Sequence, residues 1–371
     1  MRKLLHKILL KPVLWASNKY ASRPDRQRIY TALSDLLLRI VNGEKKKGLV
    51  VPFEITTGKF IIFSDQHKGR KDGADDFLTN EANYLAALDY YYQNGFHLIA
   101  LGDCEELWEN TLSSVKGAHQ LSFEKEARFI PDNAFIKIFG NHDLYWDNDP
   151  LASINLKEIY GYEVPVYEAV VLETIVGNKL IRIFCTHGHQ GDAVSDGNWF
   201  SKFFVSNIWA PLQSYLNINP NTPAYNTALK TAHNIIMYDW SAAQQNLLLV
   251  TGHTHQPVFE SLTHIERLYR QLLFARQVAD KTLIDTLQHE ILSRKFGYTD
   301  ISEDYLKLKP SYFNSGCCCY DNGTITGIEI SDGVLRLIQW KDVAGKNDRV
   351  VLEETSLAEL WEGLQVKPTG V

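Results

Sequence analysis

Short apolar runs that end in Asp, Asn or His recur along this chain. The clearest is AFIKIFGNHD, residues 134–143. Six largely apolar residues suit a buried strand; Gly140 then breaks the run, and Asn141, His142 and Asp143 follow in a row. A glycine directly after a strand lets the backbone turn sharply or approach a neighbour closely. Polar side chains leaving such a turn stand at a strand end, where α/β proteins place their chemistry. The same plan occurs four more times. FIIF leads to Ser64-Asp65-Gln66-His67, HLIAL to Gly102-Asp103, IRIFC to Thr186-His187-Gly188-His189, and LLLV to Thr251-Gly252-His253-Thr254-His255. Of the twelve histidines, His67, His142, His187, His253 and His255 are among those that fall at these ends, a clustering that scattered surface histidines would not produce.

Between these runs the apolar positions change to helical spacing. Ile29, Leu33, Leu36, Leu37 and Ile40 predict a helix over 26–41, closed by Asn42-Gly43 and preceded by a basic, loosely amphipathic first helix. Further helices are predicted over 81–94 with Gly95 as cap, over 122–130 before the turn residues Pro131-Asp132-Asn133, and over 150–160 ending at Gly161. The resulting β-α-β-α-β order argues for a sheet with crossover helices. Two strands follow, at about 164–174 and 180–185. A mostly helical insertion occupies about 190–246 and is rich in rings from Trp199 to Tyr215. A second, at about 258–310, sets Ile265, Leu268, Leu272, Leu283, Leu287 and Ile291 at helical intervals. From Tyr312 the chain returns to strands, with Asn322-Gly323 and Asp332-Gly333 read as hairpin turns. The expected division is a basic helical extension over 1–57, a main domain over 58–340 carrying both insertions, and a tail over 341–371.

An apolar share of 45% is ordinary for a globular chain with a sizeable core. The net charge of −6 gives no general attraction to nucleic acid, and none is expected as a partner. The charge is uneven: residues 1–47 hold twelve Lys/Arg against three acids, a balance of +9, so the remainder carries −15. The basic end is read as a docked extension with a solvated face; peripheral contact of residues 1–42 with an anionic membrane is the alternative. No stretch of about 18 residues is uniformly apolar, so no spanning helix is expected. His6 and Lys7 interrupt what would have to be a signal-peptide core. Five cysteines, three of them consecutive, do not look like a disulfide framework and suit a reducing, cytoplasmic compartment. Cys317, Cys318 and Cys319 are read as buried strand residues rather than a third metal site. Lys68 and Arg70 are read as solvated loop bases, and His97, His119, His233, His264 and His289 as structural or solvated. His189 either lines the strand ends or bonds within its own loop.

Asp, His and Asn at the strand ends, without cysteine, are oxygen and imidazole donors. They suit divalent manganese, iron, zinc or magnesium. Asp65 and His67 are two apart, as are His253 and His255, so on extended chain each pair faces one way. Seven candidate ligands (Asp65, His67, Asp103, Asn141, His187, His253 and His255) exceed what one octahedral ion takes with room for substrate. They suffice for two ions if a carboxylate bridges, and Asp103 is the natural bridge. Two divalent ions outweigh two carboxylates and a hydroxide, so the site would stay positive and attract phosphate. A paired-metal centre also lowers the pKa of bound water from about 15.7 toward about 7 and clamps phosphoryl oxygens.

The five elements, in the order D-x-H, G-D, G-N-H-D, H and G-H-x-H, resemble the calcineurin-like metallophosphoesterase superfamily over about residues 58–340. The resemblance implies a four-layer α/β/β/α fold, with two mixed β-sheets packed face to face and helices outside. It implies two divalent ions, with manganese favoured. One takes Asp65, His67, Asp103 and His255; the other takes Asp103, Asn141, His187 and His253. His142 then faces the leaving-group oxygen as general acid or transition-state stabiliser, and Asp143 orients and charges it. Gly102-Asp103-x-x-Glu106-x-Trp108, His187-Gly188 and Gly252-His253-Thr254-His255-x-Pro257 are similar to the UDP-2,3-diacylglucosamine pyrophosphatases. That branch has a helical insertion that caps acyl chains, carries Arg in place of His142, and lacks the N-terminal extension. The activity so implied is hydrolysis of a phosphodiester or pyrophosphate by metal-bound hydroxide, with a nucleotide-linked lipid as candidate substrate. The alternatives are small soluble phosphates, and a non-catalytic scaffold of the same fold. The ring-rich stretch 199–215 is read as helix-packing core in preference to a lid over an apolar substrate.

Overall fold

The computed structural model describes residues 24–191, 227–294 and 308–365. The basic first helix, the ring-rich stretch 199–215 and the end of the tail lie outside the described residues. In chain order the elements begin with α1 (Arg26–Val41), β1 (Gly48–Pro52), β2 (Phe60–Phe63), α2 (Glu81–Gln93) and β3 (His97–Leu101). Then come α3 (Leu112–Ala118), α4 (Gln120–Ala127), β4 (Phe135–Ile138), α5 (Tyr145–Asn148), α6 (Ala152–Tyr160), β5 (Val166–Tyr167), β6 (Ala169–Val176) and β7 (Lys179–Thr186). The second half holds α7 (Thr227–Ala243), β8 (Leu247–Thr251), β9 (Val258–Phe259), β10 (Leu262–Thr263), α8 (His264–Gln277) and α9 (Lys281–Arg294). It closes with β11 (Tyr312–Asn314), β12 (Ile325–Ser331), β13 (Val334–Val343), β14 (Lys346–Ser356) and α10 (Leu357–Gln365).

The strands form two seven-stranded sheets, ordered β1-β6-β7-β8-β11-β9-β10 and β14-β13-β12-β2-β3-β4-β5. Both are mixed. In the second, β2 to β5 run parallel and β12 to β14 antiparallel. In the first, β7, β8 and β11 run parallel, while β6 opposes β7. Successive side chains point to opposite faces. Ile62, Ile99, Leu101 and Ile138 therefore point inward and meet Val170, Ile183, Leu248, Val250 and Phe313 in one buried cluster between the sheets. The alternate residues Ile61, Phe63 and Leu98 point outward and pack under Tyr84, Leu88 and Tyr91 of α2. Val171, Phe184 and Leu249 do the same beneath Leu33 of α1 and Met237 and Trp240 of α7. Burial on both faces is why these strands read as continuous apolar runs. The layers are α/β/β/α, as the resemblance implied.

Several boundaries differ from expectation. The extension and the tail are built into the sheets: β1 pairs with β6, β14 with β13, and Leu357, Leu360 and Leu364 of α10 join the inter-sheet core. The strand expected over 164–174 is two strands in different sheets, β5 and β6. Asn322-Gly323 is no hairpin, because β11 lies in the first sheet and β12 in the second. Asp332-Gly333 does turn β12 into β13, with φ of 54° and 71°. A further hairpin turn at Ala344-Gly345 lacks the Asn or Asp that would have marked it. The described part of the first insertion contains α7, and the second insertion holds the helices α8 and α9. Among the described residues no helix is long and apolar enough to cross a membrane.

Helix α1 forms where its pattern predicts. Asp25 caps it by accepting the Arg28 backbone N–H at 2.8 Å. Ile29, Leu33, Leu36 and Ile40 bury its inner face, each worth about 1.5–3 kcal/mol. Leu33 is fully buried, so Leu33→Ala should cost about 2–5 kcal/mol in denaturant unfolding. A loss much below that range would mean α1 does not dock on the first sheet.

Candidate metal centre

Five loops leave the C-terminal ends of β2, β3, β4, β7 and β8 and meet across the edge of both sheets. All seven candidate ligands come from these loops and are buried, apart from a slightly more open His255. His187 Nε2 lies 3.1 Å from Asp103 Oδ2, and His67 Nε2 lies 3.8 Å from the same oxygen. Asp65 Oδ1 stands 3.2 Å from His255 Nε2 and 3.9 Å from His67 Nε2. Donor atoms of Asp103, His187 and His253 fall within 4.8 Å of one another, as do those of His67, Asp103 and His142. One oxygen of Asp103 thus faces imidazoles on two sides.

The loops are held by the backbone. Past the ends of β2 and β3 the ladder continues: Asp65 N–H donates to Gly102 O, His67 N–H to Asp103 O, and Lys68 N–H to Cys104 O, at 2.9–3.1 Å. Both oxygens of Asp65 accept the His253 N–H, tying the second sheet to the first. A Cβ on Gly140 would overlap Asp103 Oδ1, and one on Gly252 would overlap Asp65 Oδ2, so each carboxylate needs a glycine beside it. Asp65, His67, Asp103, His253 and His255 all have left-handed backbones, with φ between 49° and 67°. The D-x-H and H-x-H pairs therefore do not converge by extended pleat, as the two-residue spacing suggested. They converge through strained turns, each costing about 1–3 kcal/mol.

The orientation of the rings decides what the cluster can hold. His67 Nδ1 donates to Glu106 Oε2 at 3.0 Å, and His187 Nδ1 donates to the Leu101 carbonyl at 2.9 Å. Each ring then presents a bare lone pair at Nε2. His67 Nε2 and His255 Nε2 face each other at 3.2 Å, and His187 Nε2 faces a carboxylate oxygen without hydrogen-bond geometry. Asn141 Oδ1 and His253 Nε2 are also buried without a hydrogen-bond partner. Where such atoms carry no proton between them they repel unless a cation lies there. Two divalent ions, held by Asp, His and Asn donors, fit this arrangement.

The family model of the calcineurin-like phosphoesterases matches residues 58–257, a span that contains every one of these loops. The chain belongs to that family. Among solved structures it is similar to Vacuolar Protein Sorting 29 from Cryptosporidium parvum, at 11% identity over 81% of this chain and 99% of that one, with a TM-score of 0.32. It is also similar to a single mutant of Vps29 from Entamoeba histolytica, at 14% identity over 80% and 99%, with a TM-score of 0.28. No curated protein matches the chain.

In this member of the family the expected partner of His142 is displaced. Asp143 was expected to orient His142, but its carboxylate accepts the backbone N–H groups of Cys104 at 2.8 Å and Gly140 at 2.5 Å. It is a clamp between two loops. The carboxylate on the His142 ring is Glu106, whose Oε2 accepts from His142 Nδ1 at 2.6 Å as well as from His67. Trp108 stacks on a face of that ring, 4.4 Å between centroids. The sequence offered Glu106 and Trp108 only as letters of a motif. Lys68 is not solvated either: it is fully buried, 2.7 Å from Glu126 and 3.6 Å from Glu105, and Glu105 also binds Lys137 at 2.9 Å. His189 lines the centre, with its ring 5.4 Å from His187 and Nδ1 unpartnered. His233 is structural, bonding the Gly188 carbonyl at 2.9 Å. Cys317–Cys319 are buried as expected, but in the loop after β11 rather than in a strand.

Burial opposes charge on these imidazoles, yet the surrounding carboxylates prevail. Glu106 and Asp103 raise His67 to about 10, and Asp103 and Asp65 raise His187 to about 9. Without metal the folded site therefore holds protons that an ordinary histidine releases near 6.5. That contribution to stability is complete below about 6.5 and is lost as pH rises through about 9–10. Divalent ions compete with those protons. Melting of chelator-treated protein should accordingly decline across this window, and added manganese should remove the decline while releasing protons measurable by pH-stat.

Proposed function

We propose that this chain is a dinuclear metal-dependent phosphohydrolase acting on a phosphodiester or pyrophosphate. The observation that carries the reading is the convergence of imidazole, amide and carboxylate donor atoms from five loops on one buried space. Asp65, His67, Asp103 and His255 would hold one ion, and Asp103, Asn141, His187 and His253 the other, with Asp103 bridging. When bound, such ions polarise phosphoryl oxygens and activate water at neutral pH. Manganese is the ion we favour, with iron, zinc or magnesium as alternatives.

The chain's own residues supply orientation and the proton. His142 N–H donates to Asp103 Oδ1 at 2.8 Å, which seats the histidine against the bridging carboxylate. Its Nδ1–H is committed to Glu106, so the proton offered to a departing oxygen is the one on Nε2. Burial lowers the affinity of His142 for that proton, but Glu106 and Asp103 raise it, which suits a general acid. A nucleotide-linked lipid is the substrate class suggested by the resemblance of the Gly102 to Trp108 segment.

Asp103→Ala or Asn141→Ala should abolish manganese-dependent hydrolysis of an activated phosphodiester, with metal content measured on the same samples. Full activity in either variant would refute the reading, and wild-type protein that takes up no ion would favour a non-catalytic scaffold. Turnover of small diesters with UDP-diacylglucosamine untouched would remove the lipid substrate alone. Glu106→Gln should lower kcat/KM by about 10–100-fold. It should also move the basic limb of the pH–rate profile to lower pH, because His142 would lose its proton sooner. An unshifted limb would show that Glu106 does not hold the acid.

A further inference from the structure

Cys319 lies beyond the segment that the family pattern covers, in the loop that follows β11. That loop is fastened to the centre at several points. Ser315 N–H donates to Thr251 O at 2.9 Å, Cys318 N–H to Asp65 O at 3.1 Å, and the Tyr320 hydroxyl to His255 O at 3.2 Å. The Cys319 side chain is buried, and its Sγ stands 3.6 Å from His255 Nδ1. Donor atoms of His67, His255 and Cys319 fall within 4.8 Å of one another.

The two nitrogens of His255 face different neighbours. Nε2 faces Asp65 Oδ1 and His67 Nε2, both at 3.2 Å, while Nδ1 faces the Cys319 sulfur, and the neighbouring thiol Cys317 also bonds the ring. An ion on the Nε2 side is out of line with a sulfur on the Nδ1 side. The neighbouring imidazoles show the same division of labour, with Nδ1 of His67 on Glu106 and Nδ1 of His187 on Leu101 O. Histidines that bind metal usually donate the other ring N–H to a carboxylate, carbonyl or water, which fixes the tautomer and the ring angle.

We infer that Cys319 is the positioning residue of His255: its sulfur accepts the Nδ1–H and turns Nε2 onto the ion position shared with Asp65 and His67. The inference rests on the two-ion reading above. Sulfur is a weaker acceptor than the carboxylate and carbonyl that hold His67 and His187. The ion on the His255 side is therefore the one that responds to changes at Cys319.

The test uses full-length protein stripped of metal, as wild type, Cys319→Ala and Cys319→Ser. Calorimetric titration with manganese should give two steps in wild type. In Cys319→Ala one step should weaken by about 10–100-fold while the other holds. Cys319→Ser, whose hydroxyl also accepts an N–H, should restore most of that loss. Cobalt-loaded wild type should show no sulfur-to-cobalt charge-transfer band. Two unweakened steps in Cys319→Ala would overturn the inference, as would a serine variant no better than alanine. A sulfur-to-cobalt band would overturn it too, because the thiolate would then be a ligand itself. Wild-type protein that takes up no metal would instead defeat the two-ion reading first.

Discussion

The constraint on which the rest of this molecule depends is electrostatic. Two imidazole nitrogens at 3.2 Å, and a third 3.1 Å from a carboxylate oxygen, crowd one buried space. Such an arrangement repels itself when metal-free and neutral. It persists because each ring is locked from behind, His67 by Glu106 and His187 by Leu101 O, so no ring can turn away without losing a bond. Metal-free protein can relieve the repulsion by taking protons, as the raised affinities of His67 and His187 record. A divalent cation relieves it better, because one ion satisfies several lone pairs together.

Holding this geometry costs strain and desolvation. Five of the seven candidate ligands stand on left-handed backbone, and both aspartates are buried. The cost is offset by the scaffold beneath. The ladder that runs past the ends of β2 and β3 continues to Glu106, whose N–H donates to Lys68 O at 3.0 Å. Below it Lys68, Lys137, Glu105 and Glu126 form a buried set of two cations and two anions, with Tyr84, Tyr160 and Trp146 hydrogen-bonded to the acids. Breaking such a buried set by removing one partner leaves an uncompensated charge, which is why the loops above it stay in place. Glu106 joins scaffold and chemistry: one of its oxygens orients both a candidate ligand and the candidate acid.

Much of this was legible in the chain before folding. The strand ends, their donors and α1 were readable because burial on both faces writes continuous apolar runs, and burial on one face writes helical spacing. Gly140 and Gly252 marked the turns where backbone must pass close to a carboxylate. What misled was local reading of long-range partners. Asp143 sits next to His142 in sequence, yet its oxygens fall on the backbone of Cys104 and Gly140. Lys68 lies in a stretch rich in charge, yet it is sealed against Glu126. Val166–Tyr167 and Ala169–Val176 look like one strand, but the chain changes sheets between them.

By itself, then, the sequence determined the period of burial, the positions where strands stop, and the kinds of donor atom placed at those stops. These are properties of a residue and its near neighbours, and they need no knowledge of what lies across the molecule. Only the tertiary structure decided which nitrogen of each imidazole faces inward and which acceptor stands behind it. Glu106 behind His67 and His142, Leu101 O behind His187, and Cys319 beside His255 come from segments 39, 36, 86 and 64 residues away from the rings they meet. Such pairings follow from how two twisted sheets pack, and packing is settled by the whole core at once rather than by any stretch of it.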